Sequence, residues 1–138
     1  MVRGVTCLGD EVFIVCDGKA EVQVFDIDTL SLKRRLSVTG LISASDLVSC
    51  VQNNCLYSCN YNGNCVFKIK IRRNSTSWVM NAVAYSLSVT FKSNILATCH
   101  QTSKLIEFTA DGDLLREIDL EHAVPNPYHS VQLSNGQF

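Results

Sequence analysis

Asp10-Glu11-Val12-Phe13-Ile14-Val15-Cys16, Asn53-Asn54-Cys55-Leu56-Tyr57-Ser58-Cys59 and Ser93-Asn94-Ile95-Leu96-Ala97-Thr98-Cys99 align without gaps. Each begins on a polar or acidic turn, runs through a strand rich in apolar residues and closes on a cysteine. The closing cysteines stand 43 and 40 residues apart, within the period of about 40 to 50 residues for a four-stranded β-propeller blade. After each comes a short polar link: Asp17-Gly18-Lys19, Asn60-Tyr61-Asn62-Gly63-Asn64 or His100-Gln101-Thr102-Ser103. Such links supply the Gly, Asn and Asp that tight hairpins need, because their central residues take positive φ. Beyond the links, residues 21–27, 66–71 and 104–108 form the next strand of each unit, the first two in clear alternation of apolar and polar side chains.

The remaining strands follow from the same logic. Residues 5–8, 48–51 and 87–91 precede the cysteine-ending strands, and Asp111-Gly112 turns the chain into residues 114–120. No segment keeps a helical apolar stripe for more than three turns. Residues 29–32 read as a loop and residues 41–46 as a link between blades, while Trp78 reads as packed between blades. The expectation is an all-β fold of propeller blades over residues 4–45, 46–85 and 86–126. Residues 127–138 then start another blade, with Val131-Gln132-Leu133 as its first strand and Phe138 matching Phe13, Leu56 and Leu96.

Composition excludes more than it identifies. A chain of 138 residues with 46% apolar and 18% charged side chains is a folding domain rather than a disordered one. A net charge of −1 leaves no electrostatic footprint for nucleic acid or an anionic membrane. The basic cluster Lys68-Ile69-Lys70-Ile71-Arg72-Arg73 alternates like a solvated strand face, and no apolar run is long enough to span a bilayer. The first residues lack the pattern of a signal peptide. The seven cysteines form no CxxC pair. Equivalent places in separate blades put Cys16, Cys59 and Cys99 too far apart to bridge, so reduced, buried thiols and a cytoplasmic setting are expected. The sequon Asn74-Ser75-Thr76 carries little weight without a secretory signal.

Ala20-Glu21-Val22-Gln23-Val24-Phe25-Asp26 resembles the third-strand motif of NHL-repeat propellers, and Lys104-Leu105-Ile106-Glu107-Phe108 with Asp111-Gly112 is a looser version. Pro127-Tyr128-His129-Ser130-Val131-Gln132-Leu133-Ser134-Asn135-Gly136-Gln137-Phe138 resembles the blade start of invertebrate NHL-like propellers, including those of tripartite-motif proteins. The Trp-Asp dipeptides of Trp-Asp-repeat blades are absent. The resemblance implies a six-bladed ring that serves as a recognition platform, here present in part. The remaining blades would come from a longer chain or from a second copy in a homodimer.

Propeller ligands usually meet the face built from links between second and third strands and links between blades. The first set of links offers Asp17, Lys19, Tyr61, Asn62, His100 and Gln101, and the second offers Tyr85, Tyr128 and His129. This mixture suits protein recognition, where aromatic anchors contribute much of the energy. A catalytic site is not expected: there is no GxSxG elbow, no reactive-cysteine context and no glycine-rich phosphate loop. Neither a cofactor nor a metal is expected, since no HxxxH or HxH pair and no repeated inner-strand carboxylate occurs. The expected function is non-catalytic protein binding, on the resemblance as the substrate-recognition end of a larger ubiquitin-ligase-like protein. The alternatives are a metal-dependent six-bladed hydrolase or lyase and an RNA-binding propeller.

Overall fold

The computed structural model describes residues 1–120 and 124–138. Strands β1 (Val2–Leu8), β2 (Glu11–Cys16), β3 (Glu21–Asp26) and β4 (Leu32–Ser37) form one antiparallel sheet in chain order. A second sheet comprises β5 (Ala44–Cys50), β6 (Cys55–Asn60), β7 (Cys65–Lys70) and β8 (Thr76–Val79). The third comprises β9 (Ser86–Val89), β10 (Ile95–Cys99), β11 (Lys104–Phe108) and β12 (Leu114–Asp119). The first strands pack side by side, β1 on β5 and β5 on β9, so the sheets radiate as blades of a partial β-propeller. Among the described residues there is no helix, hence none long and apolar enough to cross a membrane.

The core lies between the blades. Phe13, Val15, Val22 and Val24 of the first blade meet Leu47, Leu56, Phe67 and Ile69 of the second, and none is more than 4% exposed. Tyr57, Cys59 and Val66 of the second blade meet Leu87, Ile95, Ala97 and Ile106 of the third. Each large apolar side chain buried this way contributes roughly 1.5–3 kcal/mol. Alternation along the strands sends one set of side chains to each neighbour, which is why β6 and β10 are apolar on both faces. Toward the rim, Trp78 of β8 lies edge-on to Tyr57, 6.1 Å between ring centroids, and 6.0 Å from Phe108. Gly112 makes room for it: its φ is +97°, and an added Cβ would stand 2.6 Å from the indole.

Three sequence expectations need correction. Cys16, Cys59 and Cys99 are not equivalent. Val15 pairs with Val22, Cys59 with Val66 and Thr98 with Leu105. In each blade this is the row facing the following blade. The middle repeat is therefore offset by one residue, which in a period-two strand turns a side chain to the opposite face. Cys59 and Cys99 thus point into the same core from either side, and all seven thiols are free. Nor is burial general: Cys50, Cys55, Cys59 and Cys99 are buried, but Cys7 is exposed.

Residues 131–133 do not form the expected strand. They lie beside the third blade through side chains: Ser130 and Thr98 hydroxyls are 2.7 Å apart, and Gln132 Oε1 accepts from the Phe91 amide at 3.1 Å. The following turn is in place, with the Gly136 amide donating to Leu133 O at 2.9 Å. A strand is defined by a backbone ladder, and among the described residues the backbone of 131–133 is bonded only within its own turn.

At the rim of the first blade, Glu11 accepts from Arg34 Nη2 at 2.8 Å and meets Lys33 at 3.0 Å. The hydrogen bond from Arg34 is the main force holding the Glu11 carboxyl down to about 2.

Two outcomes are expected. Gly4→Ala places a Cβ 2.6 Å from the Leu47 amide nitrogen and 2.8 Å from Leu47 Cβ, on the innermost contact between blades. The backbone there cannot yield locally, so urea denaturation should show a loss of about 1–3 kcal/mol. Glu11→Gln should cost about 1 kcal/mol at neutral pH. The folded Glu11 carboxyl titrates below its ordinary value of 4.5, so its stabilisation is complete above that pH and lost as pH falls toward 2. Melting temperatures of the two proteins should therefore converge over that acid range.

Candidate functional site

Links between second and third strands and links between blades come together on one face, laced by backbone hydrogen bonds. The Val38 amide donates to Ala20 O (2.8 Å), that of Met80 to Asn64 O (2.7 Å) and that of Leu120 to Ser103 O (2.8 Å), repeating one contact in all three blades. Gly18 N to Ile42 O (2.9 Å) and Tyr61 N to Ser43 O (2.9 Å) join the hairpin of one blade to the link leading from it or into it. These bonds fix the loops against the sheets, so the side chains they carry are held on a rigid support.

Five of the nine expected residues fall into two groups on this face. Tyr85, His100 and Tyr128 form an aromatic cluster: Tyr85 is 5.8 Å from His100 and 5.3 Å from Tyr128, and His100 and Tyr128 are 4.4 Å apart. Asp17 and Tyr61 form the other group through Arg3, whose Nη2 donates to Asp17 Oδ2 at 3.0 Å and whose guanidinium stands 5.2 Å from the Tyr61 ring centre. The hydrogen bond from Arg3 lowers the Asp17 pKa and raises that of Arg3, to which Tyr61 and Tyr85 also contribute.

The other four stand apart. Asn62 is spent on structure, with its side-chain oxygen accepting from the Ser43 hydroxyl. Lys19 and Gln101 are exposed and outside both groups. His129, next in sequence to Tyr128, turns away to the Ser86 hydroxyl (3.0 Å) and lines a cavity with Leu105, Ile118 and Phe138.

Arg3 is the candidate side chain that the sequence reading missed. It occupies the irregularity between Val2 and Gly4 where β1 slips against β2. A bulge of this kind leaves one residue out of the ladder and re-aims its side chain. The available signal was a lone arginine at the start of an inner strand, opposite the Asp17 hairpin across the β1–β2 pair.

His100 Nδ1 is enclosed and has no hydrogen-bond partner among the described residues. No three His, Cys, Asp or Glu side chains converge among those residues. Burial pushes the Cys59 thiol up to about 12 and Cys99 up to about 11, so both are neutral thiols rather than nucleophilic thiolates near neutral pH.

No protein-family signature matches the chain, and no curated protein matches it by sequence. Solved structures do. The hydrazine synthase of Kuenenia stuttgartiensis superposes with a TM-score of 0.80 at 14% identity, over 98% of this chain and 40% of that one. A streptogramin B lyase gives 0.81 at 16% identity, over 98% and 46%. The Swd1 β-propeller domain of Myceliophteria thermophila gives 0.69 at 10%, over 94% and 44%. The chain therefore spans less than half the length of these propeller-containing proteins, and at such identities the likeness is one of fold.

The face and the blade interface should respond differently to truncation. Trp78→Ala opens a void against Tyr57 and Phe108 and should cost about 3–5 kcal/mol. Tyr128 is 61% exposed, so Tyr128→Ala should cost no more than about 1 kcal/mol. Paired chemical denaturation of the two variants checks this. Equal losses would mean the aromatic cluster serves stability.

Proposed function

We propose that this chain is a non-catalytic recognition module that captures a protein segment on the face carrying Arg3, Tyr61, Tyr85 and Tyr128. The observation that supports it is a run of exposed aromatic rings on rigid loops: Tyr61, Tyr85 and Tyr128 are 39, 41 and 61% exposed. Tyrosine on such a support offers a large apolar surface with a polar tip and little rotamer freedom to lose, the properties of a binding anchor. Arg3, neutralised by Asp17, adds a directional group without a field that would draw polyanions. That favours a protein over RNA as the partner of this face. Protonated thiols and the contact character of the cluster favour binding over catalysis, while the fold itself is shared by enzymes and other propellers alike.

The NHL-like motifs extend the proposal to a six-bladed ring completed by further blades, from a longer chain or a second copy. They also suggest a tripartite-motif-type, ubiquitin-ligase-like protein in the cytoplasm that uses this face to select substrates.

Peptides selected from a random display library on the folded chain test the reading. Bound peptide should slow hydrogen exchange in residues 17–20, 60–64 and 100–103. Tyr85→Ala and Tyr128→Ala should each weaken binding about tenfold or more, with Lys92→Ala, on a different hairpin, as the unaffected control. Selected peptides that protect other surfaces and ignore both tyrosines would overturn the proposal.

A further inference from the structure

Two stretches of this chain carry the same pattern, an arginine pair, one intervening residue and a serine: Arg34-Arg35-Leu36-Ser37 and Arg72-Arg73-Asn74-Ser75. That is a charge pattern read by basophilic protein kinases, whose acidic clefts bind the two guanidiniums and so bring the serine hydroxyl to ATP. The letters alone do not separate the two copies. The fold does.

The first copy is part of a sheet. Arg34, Arg35, Leu36 and Ser37 stand opposite Val24, Gln23, Val22 and Glu21 across the β3–β4 ladder. Both arginines are answered, Arg34 by Glu11 and Arg35 by Glu21 at 3.2 Å. Leu36 packs against the core between the first two blades, and Val38, the residue after Ser37, is fully buried. Lifting Ser37 into a kinase cleft therefore means peeling β4 from β3, breaking both ion pairs and exposing core side chains.

The second copy lies outside the sheet. β7 ends at Lys70 and β8 begins at Thr76, so residues 71–75 make the turn between them. Arg72, Arg73 and Asn74 are exposed and Ser75 is half-buried. Arg72 borders a hollow with Asp10 and Glu11, but neither Arg72 nor Arg73 forms an ion pair among the described residues. The Ser75 hydroxyl has no hydrogen-bond partner among them either. Beyond the turn, β8 is a four-residue edge strand that pairs with β7 alone. Such a segment opens locally at little cost to the rest of the fold.

We infer that Ser75 is a phosphorylation site for a basophilic serine/threonine kinase, and that the fold withholds Ser37 from the same enzyme. In the transfer, Ser75 Oγ attacks the γ-phosphorus of ATP and its proton passes to the kinase's catalytic aspartate. The bond from that phosphorus to the β–γ bridging oxygen breaks, and ADP leaves with its electron pair. The product carries a charge of about −1.5 to −2. It sits at the end of β7 opposite the candidate face, beside a cavity of about 750 Å³ that Ser75 lines with Leu36 and Phe67.

The test incubates the full chain with Mg-ATP and the catalytic subunit of cyclic-AMP-dependent protein kinase, then locates phosphate by tandem mass spectrometry. Synthetic peptides covering residues 31–40 and 69–79 run beside it as unfolded references. Both peptides should be modified. The folded chain should take one phosphoryl group, on Ser75, about tenfold or more faster than on Ser37. Ser75→Ala should abolish that transfer, and Arg72→Gln/Arg73→Gln should slow it about tenfold or more. Circular dichroism shows whether each variant folds, and the ratio of Ser75 to Ser37 in the unaltered chain is decisive by itself should a variant unfold. Transfer to Ser37 of the folded chain as fast as to Ser75, or no transfer to Ser75, would overturn the proposal. So would an unchanged rate at Ser75 in the folded double-glutamine variant.

Discussion

A four-stranded sheet with two apolar faces and no helix to cover either can be buried only by other sheets. That constraint governs this molecule. Phe13, Val15, Val22 and Val24 are buried because the second blade lies against them, and Tyr57 and Cys59 because the third does. Contact is closest at the inner strands, where Gly4 lies under Leu47, and spreads toward the rim, where side chains of different size fill or leave open the widening wedge. The buried inner and middle strands set the fold. The rim and loops, free of that duty, are where blades differ from one another.

The strand pattern was legible because period-two alternation and Gly- or Asn-bearing turns are local properties. Residues 21–26 and 65–70 announce β3 and β7 without help from the rest of the chain. The cysteine alignment misled because three matching letters hid a one-residue offset, and only pairing across the sheet reveals which face a residue takes. Residues 131–133 misled for a related reason. Their composition is that of a strand, but strand formation is a relation between two segments, and sequence composition describes only one.

The candidate face was partly legible. Exposed aromatic residues in the expected loops could be named from topology, and Tyr85, His100 and Tyr128 do meet. That Asn62 is consumed by Ser43 and that His129 turns to Ser86 depends on side-chain partners distant in sequence. Arg3 was hidden by its backbone irregularity, which breaks the alternation from which its direction would be read. At the rim, only the pairing of β3 with β4 and β7 with β8 shows that Leu36 stands where the next blade has Trp78.

Trp78 is the chain's lone tryptophan, seated between the second and third blades with its indole nitrogen enclosed and unpartnered among the described residues. The emission spectrum of the whole protein is thus the optical signature of a single seam. Loosening of that seam would let water reach the indole and shift its light to the red, whereas separation of the first blade alone would leave the colour nearly unchanged. The molecule carries a built-in gauge that distinguishes which of its two joints opens first.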